Sequence, residues 1–310
     1  MSLAIVFPGQ GSQSVGMLAE LAEQFPTVGE TFSEASEVLD FDLGKLILNG
    51  PEDELNLTCN TQPAMLSTGV AIWRLWRQLG GVEPAFMAGH SLGEYTALVC
   101  AGALDFTDAV ALVAERGSYM QEAVAPGAGA MAAILGLDDE ILTAVCNDAA
   151  QGQIVSCANF NSPGQVVIAG QTQAVERALE AARAAGARRA IPLAVSVPSH
   201  CELMRPAAER LAQRLAGITI KQPGIPVLQN VDVAAHDDGQ EIAGLLAQQL
   251  YLPVRWTDTI MRMREQGVDR ILEFGPGKVL AGLCKRIDRG LQAQPVLDPG
   301  TLALALNGGA

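Results

Sequence analysis

The chain has 310 residues, of which 49% are hydrophobic and 17% are charged, and these values predict one large α/β domain or a large domain with a smaller partner. Its formal net charge of −14 argues against a nucleic-acid partner or an anionic membrane, because both require a basic surface. An acidic protein partner would therefore need a local basic patch on this chain.

The cysteine pattern and the first residues indicate a compartment. The six cysteines form no C-x-x-C pair, so free thiols in a reducing cytoplasm are expected rather than a zinc site or a disulfide framework. The apolar run 3–7 lacks the basic segment of a signal peptide and ends early, at Pro8 and Gly9. No stretch approaches the roughly 18 consecutive apolar residues of a membrane span. We therefore expect a cytoplasmic protein.

The first predicted strand, residues 3–7, leads into the glycine-rich loop PGQGSQ at 8–13. This loop does not match the phosphate-binding motifs, because Ser14 replaces the third glycine of G-x-G-x-x-G and Met17 stands where a P-loop has lysine. Its backbone amides are candidates for binding an oxyanion, with Gln10 or its neighbour as donor. The alternative is a plain strand-to-helix turn.

A nucleophile elbow is predicted after helices at 27–39, 43–49 and 61–79. There a short apolar run meets the sequence GHSLGEY, and G-x-S-x-G between a strand and a helix is typical of a strained turn that exposes a serine hydroxyl. Ser91 is therefore the candidate nucleophile. The amide of Leu92, at the start of the next helix, is free to donate to an oxyanion. The alternative is a tight turn in which the serine only caps that helix.

Two helices are predicted after the elbow, at 94–102 and from Thr107, as the cap, to about 124. The second helix carries Arg116. Most arginines on helices are solvated, so the pattern alone favours a solvent-exposed position for this side chain over a ligand-binding one.

The middle of the chain has the order β-α-β-β-α-β, which is typical of a ferredoxin-like unit. This order comes from strands predicted at 131–137, 154–160, 165–170 and 188–196 and helices predicted at 140–150 and 172–186. We predict a small domain, residues 127–197, inserted into a discontinuous large domain of 1–126 and 198–310. A cleft between the two domains would hold the ligand.

A serine nucleophile needs a base with a pKa near neutrality, and imidazole suits this role. Of the three histidines, His90 lies inside the elbow, His236 lies in an acidic loop, and His200 lies where the chain re-enters the large domain. His200 is the candidate base, and the alternative is a cap for a helix predicted at 202–216. No acidic residue stands out as a third member, so we expect a dyad whose imidazole is oriented by a neutral acceptor.

Six short motifs together carry a resemblance to a known family. The chain resembles the malonyl-CoA:acyl carrier protein transacylases of bacterial type II fatty-acid synthesis from about residue 3 to 290. The motifs, in the order of that family, are PGQGSQ at 8–13, TQPA at 61–64, GHSLGEY at 89–95, NFNSPGQ at 159–165, VPSH at 197–200 and EFGPG at 273–277.

The resemblance implies an α/β-hydrolase-like large domain with a parallel sheet and an inserted ferredoxin-like small domain. It implies transfer of a malonyl group from coenzyme A to the phosphopantetheine thiol of acyl carrier protein, by a ping-pong route through a malonyl-serine ester. Malonyl-CoA would be the substrate and acyl carrier protein the partner, with no bound cofactor and no metal.

The resemblance also implies residue roles in the chemical step. Ser91 would carry the malonyl group, His200 would be its base, and Gln249 would help to orient the imidazole. The backbone amides of Gln10 and Leu92 would hold the oxyanion.

Selectivity and docking are implied in the same way. Arg116 would pair with the free malonyl carboxylate, since a guanidinium can hold a carboxylate through two parallel hydrogen bonds. Ser199 would influence the choice between malonyl and methylmalonyl groups. Because carrier proteins of this class are acidic, docking would need basic residues, and the candidates are Arg188, Arg189, Lys278, Lys285 and Arg286.

Three other functions stay open at the level of sequence. A serine esterase or thioesterase shares the elbow but delivers the acyl group to water. A carrier-docking or scaffolding subunit would keep the fold with an inactive site. A malonyltransferase of a polyketide or malonate-decarboxylase system would differ in its carrier.

Overall fold

A computed structural model describes residues 2–194 and 197–308. The strands are β1 Ser2–Phe7, β2 Phe86–Gly89, β3 Gly129–Leu135, β4 Val155–Ser162, β5 Gln165–Gln171, β6 Arg189–Pro192, β7 Val227–Leu228, β8 Val268–Phe274 and β9 Gln292–Val296. The helices are α1 Ala19–Gln24, α2 Pro26–Leu39, α3 Leu43–Asn49, α4 Glu52–Leu55, α5 Thr58–Gln78, α6 Gly93–Cys100, α7 Phe106–Glu122, α8 Asp139–Ala150, α9 Thr172–Ala184, α10 Arg205–Leu215, α11 Gly239–Gln248, α12 Trp256–Glu265, α13 Val279–Ile287 and α14 Pro299–Leu306, with a 3-10 turn at Glu202–Met204.

The larger sheet has five parallel strands in the order β7, β2, β1, β8, β9. Its central strand β1 is an apolar run that is buried over 3–7, as expected for a parallel strand covered on both faces. The pairing of Phe7 with Gly89 places the ends of β1 and β2 side by side. The glycine-rich loop after β1 and the elbow after β2 therefore meet at the carboxyl edge of the sheet, where open α/β sheets bind ligands.

The smaller sheet is antiparallel, with the order β4, β5, β3, β6. Helices α8 and α9 pack on it, and it has a hydrophobic core of its own. Both sheets together confirm the predicted fold class. The strand predicted at 188–196 is shorter, at Arg189–Pro192, and positions 195 and 196 lie outside the described residues. The domain boundaries at 127 and 197 stay predictions.

The cap of α7 corrects a prediction. Thr107 does not cap this helix, which begins one residue earlier, at Phe106. The side chain of Asp105 accepts hydrogen bonds from the backbone amides of Thr107 and Asp108. An aspartate at this position reaches two of the amides that lack partners in the first turn, whereas Thr107 already lies inside that turn.

Among the helices of the two described ranges, none has the length together with the apolar character that a membrane span requires.

Candidate active site

Ser91 lies in a sharp turn between β2 and α6. Its backbone has φ +52°, a left-handed conformation that non-glycine residues rarely adopt. A Cβ atom on Gly89 would lie 1.7 Å from the carbonyl carbon of Gly93, and one on Gly93 would lie 2.0 Å from the oxygen of Phe7. Both flanking positions therefore have to be glycine. Residues 89–93, called the elbow below, have the geometry of a nucleophile elbow.

His200 lies against the serine. Its Nε2 atom is 2.8 Å from Oγ of Ser91, and its Nδ1 atom is 2.7 Å from the backbone oxygen of Gln249. Because a carbonyl oxygen only accepts, Nδ1 carries the proton and Nε2 is free to accept one from the serine hydroxyl. The acceptor that orients the imidazole is thus neutral.

The surroundings of His200 keep its imidazole uncharged. The residue is 3% exposed, and burial, followed by the charge of Arg116, lowers the pKa of the imidazole to about 3. At neutral pH the imidazole is therefore unprotonated and can accept a proton, although its pKa lies well below the near-neutral value expected from the sequence.

Arg116 extends from α7 towards the elbow and is buried, contrary to what its helix pattern alone favours. It donates to Oε1 of Gln62 at 2.7 Å, to Oε1 of Gln249 at 3.0 Å and to Oγ of Ser91 at 3.3 Å. No carboxylate within the described ranges forms an ion pair with it, and its Nε atom has no hydrogen-bond partner there. Burial lowers the pKa of Arg116, but a guanidinium stays protonated in proteins. A buried cation that forms no ion pair with a described carboxylate and that lies beside the serine is suited to an anionic substrate group.

Two backbone amides are available close to the serine. Those of Gln10, in the loop after β1, and Leu92, at the start of α6, donate to no acceptor within 2–194 and 197–308. The loop lies directly against the elbow, since a Cβ on Gly9 would be 2.5 Å from the oxygen of His90. Gln10 and Leu92 both line the same cavity as Ser91, as the donors of an oxyanion site must.

The cavity above the serine has a volume of about 560 Å³ and lies between the two sheets. The large domain contributes the catalytic candidates, together with Ser199 and part of α13. The small domain contributes the opposite side, called the small-domain wall below, which consists of Met131, Asn161, Gln165 and Leu193. A cavity of this size is typical of a small-molecule or cofactor site.

The remaining sequence candidates lie further out. The basic residues proposed for docking are all exposed, and three of them lie at the start of α13 or on it, beside the cavity. His236 does not line the cavity and pairs instead with Asp232 and Glu241, at 2.7 Å and 3.1 Å. Within the described chain, no group of three or more histidine, cysteine or acidic side chains is placed to hold a metal ion.

Sequence reasoning missed several polar residues of the site. Gln62 and Asn161 lie inside quoted motifs but had no assigned role; Gln62 holds Arg116, and Oδ1 of Asn161 is 2.8 Å from Nε2 of His90. Asn230 and Glu94 form hydrogen bonds beneath the elbow. Asn230 lies in no recognised motif, and only its contacts in the folded chain identify it.

The parallel sheet, the serine elbow at the end of β2 and the adjacent histidine define an α/β-hydrolase-like protein with a serine–histidine pair. The family model described as an acyl transferase domain matches residues 4–296. The chain belongs to this acyltransferase family, which confirms the class predicted from the motifs.

Curated relatives and solved structures are similar over nearly the whole chain. The malonyl CoA-acyl carrier protein transacylase of Escherichia coli K12 is 58% identical over 303 residues, which cover 98% of each chain. That of Bacillus subtilis 168 is 48% identical and covers 98% of this chain and 96% of the relative. The crystal structure of an acyl carrier protein S-malonyltransferase from Vibrio cholerae has a TM-score of 0.97 at 58% identity, covering 98% of this chain and 99% of the other. A malonyl-transacylase in complex with a type II PKS acyl-carrier protein has a TM-score of 0.98 at 58% identity, covering 99% and 100%.

Proposed function

We propose that the protein transfers a malonyl group from coenzyme A to the phosphopantetheine thiol of acyl carrier protein. The observation that carries the proposal is the contact of Ser91 with both a neutral histidine at 2.8 Å and a buried arginine at 3.3 Å. A serine–histidine pair makes an acyl ester, and the arginine selects an acyl group that ends in a carboxylate. The relatives are malonyl CoA-acyl carrier protein transacylases, and this similarity supports the malonyl group, coenzyme A and acyl carrier protein as the reactants here.

In the first half-reaction, Nε2 of His200 accepts the proton of the Ser91 hydroxyl as the oxygen attacks the thioester carbonyl. The amides of Gln10 and Leu92 stabilise the negative charge on the former carbonyl oxygen. The carbon–sulfur bond then breaks, the coenzyme A sulfur takes the proton from the imidazole, and a malonyl ester remains on the serine.

The second half-reaction repeats these steps with the carrier. The phosphopantetheine thiol gives its proton to His200 and attacks the ester, and the serine oxygen recovers the proton as the new thioester leaves. Coenzyme A departs before the carrier binds, so the kinetics are ping-pong. The backbone oxygen of Gln249 keeps Nδ1 protonated through both halves.

Selectivity follows from the position of Arg116. Gln62 and Gln249 hold its two terminal nitrogens, so the guanidinium has a defined plane before substrate arrives. The malonyl carboxylate can accept two parallel hydrogen bonds from it, whereas an acetyl group leaves the buried charge unpaired. Ser199 lines the same cavity and, in this proposal, influences whether a methyl branch is accepted.

The carrier docks through the exposed basic residues beside the cavity, because an acidic carrier and an acidic chain otherwise repel each other. The cytoplasmic location expected from the sequence belongs to the same proposal, and all six cysteines are free thiols.

The test is intact-protein mass spectrometry after brief exposure to malonyl-CoA, followed by addition of pantetheinylated carrier protein. We expect a malonyl adduct on Ser91 that the carrier removes. Ser91→Ala should form no adduct, whereas Ser12→Ala, a serine that lines the same cavity, should form it normally. An adduct that decays equally fast without carrier would identify a hydrolase. Absence of any adduct on the wild-type protein would leave a carrier-docking or scaffolding role.

A further inference from the structure

Asn230 lies directly beneath the elbow and is fully buried. Its Nδ2 atom donates to the backbone oxygen of Gly89 at 2.7 Å, and its Oδ1 atom accepts from the backbone amide of Ser91 at 2.7 Å. The orientation of the side-chain amide is unambiguous, because the Gly89 carbonyl only accepts and the Ser91 amide only donates. One side chain thus joins the two backbone groups on either side of His90.

The backbone of Asn230 is itself held in place. Its amide donates to Oε2 of Glu94 at 2.7 Å, and its oxygen accepts from the amide of Arg255 at 3.2 Å. Glu94 belongs to α6, three residues after Ser91, and is also fully buried. The hydrogen bonds therefore run from the elbow to Asn230 and back to the helix that follows the elbow.

A second amide acts on the other side of the serine. Nε2 of Gln249 donates to the backbone oxygen of Ser91 at 3.0 Å and lies 3.3 Å from Oδ1 of Asn230. In a trans peptide the C=O and N–H bonds point in opposite directions, so this contact also sets the direction of the Leu92 amide. The peptide planes before and after Ser91 are both held by buried side chains.

This arrangement bears on the strained backbone of Ser91. A left-handed serine persists only where its surroundings restrain it, and the Ser91 amide lies beyond Gly89, the last residue of β2 that pairs with β1. The hydrogen bond from Asn230 supplies that restraint. Without it, the Gly89 oxygen and the Ser91 amide would be buried without partners, and the turn would rotate to recover hydrogen bonds.

We propose that Asn230 is a positioning residue, which holds the left-handed turn at Ser91 so that Oγ points at His200 and the Leu92 amide points at the developing oxyanion. It acts through the backbone and does not contact the substrate. The proposal deepens the proposed function, since it concerns formation of the ester on the same serine.

The first test measures the rate of malonyl ester formation and the Kd for malonyl-CoA separately. In Asn230→Ala we expect the rate of malonyl ester formation to fall about 100-fold, as is typical when a reacting group is misplaced by about 1 Å. Asn230 forms no hydrogen bond with Arg116 and does not line the cavity, so the Kd for malonyl-CoA, measured in a Ser91→Ala background, should stay within about threefold. A fall in the rate accompanied by a comparable rise in the Kd would show a structural role only and would overturn the proposal.

Gln229→Leu is the matched control. Gln229 is the preceding residue and is equally buried, but its side chain donates only to the oxygen of Val227, at 3.4 Å, and does not reach the elbow. We expect this variant to lose stability without losing the rate of ester formation. Equal rate losses in Asn230→Ala and Gln229→Leu would contradict the proposal.

A second variant, Asn230→Asp, tests the proposal even if Asn230→Ala does not fold. In its ionised form the aspartate can accept the hydrogen bond of the Ser91 amide, but its second carboxylate oxygen then faces the Gly89 oxygen, and both of these atoms are acceptors. In its protonated form the side chain can accept from the Ser91 amide and donate to the Gly89 oxygen, as asparagine does. The rate of this variant, relative to wild type, should therefore rise as the pH is lowered. A pH profile parallel to that of wild type would overturn the proposal.

A fluorophosphonate that labels reactive serines separates this inference from the proposed function. Its reaction with Ser91 needs the elbow and His200 but no malonyl group. Slower labelling of Asn230→Ala than of wild type would support the positioning role even if malonyl-CoA proved not to be the substrate. Equal labelling, together with equal ester formation, would overturn it.

Discussion

The two sides of the cavity are built differently. On the elbow side, buried polar groups bond to one another at 2.7–3.3 Å, and each functional side chain has at least two such contacts. The small-domain wall is partly exposed: Asn161 is half-buried, Leu193 is 37% exposed, and β4 departs from regular pairing at two places. The difference indicates that the elbow side fixes the reacting atoms, whereas the wall and the cavity entrance shape access.

The largest effect should come from removing the base on the elbow side. In His200→Ala we expect the rate of ester formation to fall about 10³- to 10⁴-fold, because, of the described side chains that bond to Oγ of Ser91, Arg116 can only donate and His200 is the one that can accept the serine proton. Rapid-mixing mass spectrometry with malonyl-CoA measures this rate. His236→Ala, which changes the histidine outside the cavity, should react normally. A loss below about tenfold for His200→Ala would mean that the elbow side does not control the chemistry.

The arginine tests whether the elbow side also selects the acyl group. In Arg116→Ala we expect the ratio of malonyl to acetyl transfer to fall about 100-fold, since the buried charge that requires a carboxylate partner is gone. Parallel rates with malonyl-CoA and acetyl-CoA give the ratio. Arg214→Ala, which removes a partly exposed arginine paired with Glu115, is the control. An unchanged ratio in Arg116→Ala would mean that the small-domain wall, and not Arg116, selects the acyl group.

The decline of kcat/KM at low pH tests how far water is excluded from the elbow side. Burial lowers the pKa of His200 to about 3, so kcat/KM for malonyl-CoA should stay level as the pH falls through 6.5 and decline only in strongly acidic solution. Arg116→Ala removes one cause of the lowering and should move the decline to higher pH. A decline in the wild-type protein near pH 6.5 would indicate a hydrated base.

The pH dependence of the free energy of unfolding tests the support that Glu94 gives beneath the elbow. Burial raises the pKa of its carboxyl group to about 8 from 4.5, so its stabilising contribution is present below pH 4.5 and is lost as the pH rises through 8. Relative to wild type, Glu94→Gln should gain unfolding free energy across this range, at up to about 1.4 kcal/mol per pH unit. Chemical denaturation at pH 5 and pH 8 measures the change, with the exposed Glu20→Gln as control. No difference between the two pH values would place the carboxyl group in contact with water.

The smallest effect should come from the cavity entrance. In Lys285→Glu we expect KM for the carrier to rise a few-fold, with less dependence on salt and an unchanged rate of ester formation from malonyl-CoA, because long-range attraction affects encounter more than chemistry. Lys45→Glu, the same charge change at an exposed position of α3, is the control. Equal effects of both changes would mean that net charge, and not a local patch, governs docking.

Local patterns in the sequence predicted much of this structure. The elbow is recognisable because the strand, the glycines and the serine are consecutive, and the βαββαβ order follows from periodicity within one stretch of chain. The sequence predicted a neutral hydrogen-bond acceptor for His200, because no acidic residue stood out as a third catalytic member. The resemblance pointed to Gln249, 49 residues further along the chain, and the fold adds that its backbone oxygen is the acceptor.

Contacts between segments that are far apart in the sequence could not be predicted from local patterns. The pattern around Arg116 is that of a solvated helix residue, and its burial results from packing of α7 against α5. Asn230 meets Ser91 across 139 positions because β7 pairs with β2. Strand β7 has only two residues, too few for an alternating pattern to appear.

The tight glycine packing at the elbow limits how this protein can be changed. Neither Gly89 nor Gly93 has room for even a methyl group, so the turn tolerates no side-chain variation at these two positions. In the small-domain wall, by contrast, Met131 is buried but Asn161, Gln165 and Leu193 are partly exposed. Libraries aimed at new acyl groups should therefore leave the elbow and Asn161, which contacts His90, constant and vary the other wall residues, where substitutions can alter the shape of the cavity away from the serine.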